Sequence, residues 1–121
     1  MSPPRAALYA RVSTGEQDPE LQVADLRRLA EHRGWKVADE YIDKGISGSK
    51  ASRPGLDRLM ADASAGKLDV VAVWRFDRFA RSTRHLLLAL EEFRALDVDF
   101  VSVRESIDTS TPMGRMVFTM V

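Results

Sequence analysis

Arginine, serine and aspartate cluster at three points of this 121-residue chain in a way that suits the handling of a phosphate group. Arg11 and Ser13 follow one apolar run, Asp43 ends a second, and Arg75, Asp77, Arg78 and Arg81 leave a third. A guanidinium stays charged at any working pH and offers paired N–H donors that match two phosphate oxygens, a geometry lysine does not hold. Phosphoryl transfer spreads negative charge over equatorial oxygens, so cations oriented in advance can supply much of the catalysis without a metal. Ser13 is the natural nucleophile, because neighbouring positive charge favours its alkoxide. Asp43 and Asp77 serve as caps or salt-bridge partners as readily as catalytic acids, and in arginine-rich surroundings they stay ionised, which favours orientation over proton donation. Arg75 and Arg84 fit a solvated helical face and are not assigned to chemistry.

Other chemistries lose support on composition and spacing. There is no cysteine, which removes thiolate catalysis and thiolate metal sites, and His32 and His85 leave little with which to build a histidine-rich zinc site. The chain has no Ser-His-Asp order, no G-x-S-x-G elbow and no Walker loop. The formal net charge is +0, yet Trp74–His85 holds four arginines against one aspartate while Ala89–Asp108 holds six acids against two arginines. Attraction to a polyanion must therefore come from charge distribution. Arg11 interrupts the apolar stretch Ala6–Ala10, and no run approaches the roughly 20 apolar residues that span a bilayer, so a soluble cytoplasmic protein is expected.

The elements that must position these residues alternate. Ala6–Val12 reads as a strand entering the polar loop Ser13-Thr14-Gly15. Asp18 and Pro19 suit the start of a helix with Val23, Leu26, Leu29 and Ala30 on one stripe and Gly34 at its exit. Lys36–Ile42 is a second strand, and Asp43–Lys50 reads as a mobile loop. Pro54 opens a second helix carrying Leu56, Leu59, Met60 and Ala63, closed by Gly66, and Val70–Trp74 is continuous enough for a central strand buried on both faces. Ser82 caps a third helix with Leu86, Ala89, Leu90 and Phe93 inward, and Val98–Arg104 alternates as a fourth strand. Trp35 and Trp74 read as core, and His32 and His85 as surface or capping residues. Thr111-Pro112 begins a last helix whose Met113, Met116, Val117, Met120 and Val121 form a stripe still running at the chain end, the pattern of a truncated helix-to-helix interface. The expected fold is α/β: a three-layer sandwich with a mostly parallel central sheet flanked by helices, and ligands at the carboxyl ends of its strands.

Several blocks together resemble one family. Tyr9-Ala10-Arg11-Val12-Ser13-Thr14-Gly15-Glu16-Gln17, Asp43-Lys44-Gly45-Ile46-Ser47-Gly48, Arg53-Pro54-Gly55-Leu56, Phe76-Asp77-Arg78-Phe79-Ala80-Arg81 and Met113-Gly114-Arg115-Met116 are similar, in order and spacing, to the catalytic domain of the serine recombinases, the resolvase/invertase family. The resemblance implies that Ser13 attacks a DNA phosphodiester, forms a 5′-phosphoserine link and releases a 3′-hydroxyl, with neither metal nor nucleotide. It implies that Arg11, Arg78, Arg81 and Arg53 bind the scissile phosphate, with Gln22, Asp43 and Asp77 in supporting positions. The expected partners are double-stranded DNA and further copies of the chain, a homodimer that assembles to a tetramer at synapsis, with no membrane. Residues 1–111 would form the catalytic core and 112–121 the start of a long oligomerisation helix, too short for the chain alone to recombine DNA. Phe76 and Phe79 replace leucines common in the family, a change expected to affect packing more than chemistry. Two other classes stay open on the residues: a non-catalytic DNA-backbone-binding or oligomerisation module, and a small-molecule phosphotransferase.

Overall fold

The computed structural model describes residues 2–12, 20–44, 54–80 and 82–109, except for the side chains of Asp77 and Thr83. Its elements run β1 (Arg5–Val12), α1 (Glu20–Arg33), β2 (Lys36–Lys44), α2 (Pro54–Ser64), β3 (Val70–Val73), a 3-10 turn (Phe76–Arg78), α3 (Thr83–Ala95), β4 (Asp99–Ser102) and β5 (Ile107–Asp108). The five strands form one sheet in the order β2-β1-β3-β4-β5. The first four are parallel, and β5 returns antiparallel to β4.

The order explains the layers. The chain steps from β1 to β2 in one direction and from β2 to β3, then β4, in the other; because parallel crossovers share one hand, that reversal puts α1 on one face and α2 and α3 on the other. The core divides accordingly. Ala6, Leu8, Val70, Ala72 and Val101 pack with Leu26 and Ala30 of α1, while Ala7, Tyr9, Val71, Val73 and Phe100 pack with Leu56 and Leu59 of α2 and Leu86 and Phe93 of α3. Strand β3 pairs on both edges and all four of its residues are buried, as its unbroken apolar run predicts.

The helix boundaries follow their end chemistry. Gly34 closes α1 at φ +71° and Gly66 follows α2 at φ +76°, left-handed conformations that glycine adopts without a Cβ penalty. Ser82 caps α3 by accepting the His85 N–H at 3.1 Å. Asp18 and Pro19 lie outside the described residues, as does the helix expected from Thr111.

Three expectations need correction. Asp43 and Lys44 belong to β2, not to a loop, because Arg11 and Val12 continue the ladder opposite them. Trp74 is not deep core: half-buried beyond the end of β3, its indole donates to Asp25 Oδ2 of α1 at 3.1 Å, and the guanidinium groups of Arg104 and Arg75 lie 5.4 and 5.9 Å from its ring. Trp35 is likewise half-buried, against the α1 cluster and under Arg33. Strand β5 and the 3-10 turn are additional elements, too short for periodicity to reveal.

Candidate active site at the carboxyl edge of the sheet

Strands β1 and β3 are neighbours, but the chain leaves them toward opposite faces, so a crevice opens between their carboxyl ends. Arg11 is the penultimate residue of β1, and Ser13 follows the strand directly. Strand alternation sets Arg11 on the same face as Tyr9, the α2 and α3 side. The residue is half-buried and its Nε is buried.

Arg78 approaches from β3. It ends the 3-10 turn, which packs against β1, and it too is half-buried with a buried Nε. Two phenylalanines fix the turn: Phe79 meets Tyr9 edge-on at 6.0 Å and lies 5.2 Å from Phe100, and Phe76 stacks on Phe100 at 6.1 Å. These aromatic contacts supply both area and orientation to the turn.

Asp43 sits opposite Arg11 in the β1–β2 register and is only 2% exposed. Its carboxylate accepts the Tyr9 hydroxyl at 2.7 Å, the Gly55 N–H at 2.8 Å and the Leu56 N–H at 3.1 Å. Two of these donors are orphan N–H groups of the first turn of α2, so Asp43 caps that helix from a strand. Gly55 is required by the approach: a Cβ there would lie 2.9 Å from Asp43 Oδ1. Arg53 directly precedes Pro54, the first residue of the helix so anchored.

Gln22, on α1 and 5% exposed, donates from Nε2 to the Arg11 carbonyl at 3.2 Å. Its buried Oε1 has no partner among the described residues. The fold therefore gathers Arg11, Asp43, Gln22 and Arg78 at one edge, with the backbone of Asp77 in the turn. Ser13, Arg53 and Arg81, and the side chain of Asp77, lie outside the described residues. Sequence reasoning missed Tyr9 and Gly55; a tyrosine inside a buried apolar run must bond its hydroxyl, which is the signal for the first.

The charges outside this edge are paired differently. On β2, Glu40 is bound by Arg27 and Asp39 by Arg58, and each guanidinium, chiefly through its hydrogen bond, holds the carboxyl below its ordinary range. A cleft of about 560 Å³ opens at the opposite, amino-terminal edge beside Arg33, Asp69, Asp97 and Asp99, where Asp69 is paired with Arg5. No group of three or more potential metal ligands occurs among the described residues, and none of their helices is long and apolar enough to cross a membrane.

A mostly parallel sheet with strand-end arginines at its switch point defines a three-layer α/β domain. Residues 6–121 match the resolvase N-terminal domain, and the chain belongs to that family, the catalytic domain of the serine site-specific recombinases. It is 46% identical over 110 residues to the DNA-invertase of Escherichia phage P1, covering 91% of this chain and 54% of that protein. It is 38% identical over 110 residues to the transposon Tn917 resolvase of Enterococcus faecalis, covering 91% and 55%. The chain thus spans about half the length of the curated relatives it matches. The N-terminal catalytic domain of TP901-1 integrase superposes with a TM-score of 0.87 at 42% identity, over 96% of this chain and 89% of that one. A resolvase family site-specific recombinase from Streptococcus pneumoniae gives 0.81 at 29% identity, over 96% and 83%.

Proposed function

We propose that this chain performs the chemical step of site-specific recombination on double-stranded DNA. Ser13 Oγ attacks the scissile phosphorus as its proton leaves, the P–O3′ bond breaks, and the 3′-oxygen takes up a proton; the product is a 5′-phosphoserine ester and a free 3′-hydroxyl. Rejoining reverses the step, so the ester conserves the bond that was broken. Arg11 and Arg78, with Arg53 and Arg81, bind the phosphate oxygens and stabilise the charge that develops on them. Asp43, Asp77 and Gln22 orient these groups. Residues 1–111 act as the core, and residues 112–121 begin a helix through which copies form a dimer and, at synapsis, a tetramer.

The observation that carries this reading is the placement of Arg11 and Arg78, each with a buried Nε, at the carboxyl edge where β1 leads directly to Ser13. The family supports the same chemistry. The test joins the chain to the C-terminal remainder of phage P1 DNA-invertase and supplies that enzyme's recombination site. A denaturant-resistant adduct on a 5′ end is expected, and Ser13→Ala should form none. An adduct that persists in Ser13→Ala overturns the assignment.

A further inference from the structure

The turn between β4 and β5 makes a contact that the proposed phosphate-binding residues do not explain. Glu105 accepts the Phe76 N–H through Oε1 at 3.3 Å and Oε2 at 3.4 Å, and also accepts the Ser102 hydroxyl. Phe76 opens the 3-10 turn, where an N–H has no acceptor within its own helix, and the side chain of Arg75 at the N-cap position does not cap it. Glu105 supplies the acceptor from 29 residues further along the chain.

The carboxylate is presented from a fixed support. Ser102 is completely buried at the end of β4. Beyond it, Val103 N–H donates to the Val73 carbonyl at 3.0 Å and Arg104 N–H to the Trp74 carbonyl at 2.9 Å, so the turn stays attached to the segment leaving β3. Ser106 holds φ +56°, a left-handed conformation that costs a non-glycine residue energy and persists where the surroundings impose it. On the other side, Arg78 N–H donates to the Arg75 carbonyl at 3.1 Å and Phe79 N–H to the Phe76 carbonyl at 3.0 Å. A displacement of Phe76 is therefore transmitted through one turn to Arg78.

We propose that Glu105 is a positioning residue: by holding the first N–H of the 3-10 turn, it sets the place of Arg78 at the carboxyl edge. This rests on the phosphate-binding role proposed for Arg78. The carboxylate acts through the backbone of the turn, as preorganisation requires of the groups that support a site.

The experiment uses the same chimera and measures the single-turnover rate of 5′-adduct formation, DNA affinity at fixed salt, and urea unfolding. Glu105→Ala should slow adduct formation by about 10- to 100-fold with DNA affinity unchanged, the effect of a small misplacement of a reacting group. Glu105→Gln, whose amide oxygen can still accept both donors, should recover most of the rate. In a double-mutant cycle, Glu105→Ala should add little to Arg78→Ala, because both changes remove the same interaction. Multiplicative losses, or a rate for Glu105→Ala equal to the parent's while Arg78→Ala is slow, overturn this proposal alone. Full activity in Arg78→Ala overturns the phosphate-binding role and this proposal with it. Should Glu105→Ala fail to fold, Glu105→Asp, one methylene too short to bridge to Phe76, takes its place in the cycle with the same expected results.

Discussion

The Tyr9 hydroxyl donates to Asp43 Oδ2 at 2.7 Å, joining β1 to β2 beneath the start of α2, between residues 34 apart in the chain. Both residues are almost completely buried, so neither group can exchange its partner for water. The bond fixes the carboxylate that in turn holds the Gly55 and Leu56 N–H groups. One tyrosine thereby links the strand that leads to Ser13 with the helix that follows Arg53.

Tyr9→Phe should lower stability by about 1.5–3 kcal/mol, the range for a hydrogen bond to a charged group, since a buried carboxylate oxygen loses its donor. Urea unfolding should show a lower midpoint with an unchanged slope. A midpoint equal to the parent's would mean that the bond adds nothing to the stability of the fold.

Gly55→Ala tests how closely α2 approaches β2. The added methyl would stand 2.9 Å from Asp43 Oδ1 and 3.1 Å from Cγ, so the helix or the carboxylate must shift. A loss of about 1–3 kcal/mol is expected, as for other overpacked sites, together with slower adduct formation because Arg53 directly precedes this helix. Gly34→Ala is the contrast. It meets no atom within 4 Å but sits at φ +71°, so it should lose about 1 kcal/mol through backbone strain while adduct formation is retained.

The layers and central strand were legible because helix stripes and β3 carry the periodicity of their burial. Val23, Leu26 and Ala30 are buried on α1 and Leu56, Leu59 and Ala63 on α2, as their spacing requires. The end of β2 was not legible, since Asp43 looks like a loop residue until Tyr9 and the first turn of α2 supply its donors. Glu105 was hidden for a related reason: its role depends on Phe76, a partner 29 positions away whose N–H has no side-chain signature. Arg11 and Arg78 were identified by residue type and motif, but the crevice between them follows from strand order, which a run of apolar residues does not encode.

Replacing Arg11 or Arg78 with lysine keeps the charge and removes the planar, paired donors. Each change should slow adduct formation by about 100- to 1,000-fold, the effect of losing one donor to a transition-state oxyanion, while DNA affinity at fixed salt changes far less. The split between rate and affinity is the diagnostic, because an arginine that merely holds the DNA backbone would weaken binding and leave the rate of the bound complex intact.

Tyr41 provides a pH-dependent test of the fold itself. Its ring lies against α2, its hydroxyl donates to Asp62 at 2.7 Å, and the Arg58 guanidinium stands 4.4 Å from the ring centre. Burial, reinforced by the hydrogen bond and the charge of Asp62, pushes its hydroxyl well above the ordinary tyrosine value near 10. The neutral phenol is therefore favoured in the folded chain, and the associated stability is complete below the unfolded-state value and lost as pH rises from there toward the folded value. In that window the unfolded chain has released one proton that the folded chain retains, a slope of about −1.4 kcal/mol per pH unit. Tyr41→Phe, although less stable at neutral pH, should lose stability less steeply above pH about 10 by that amount. Urea midpoints measured at several alkaline pH values give the difference, and parallel curves for the two proteins would show that Tyr41 ionises equally in the folded and unfolded chains.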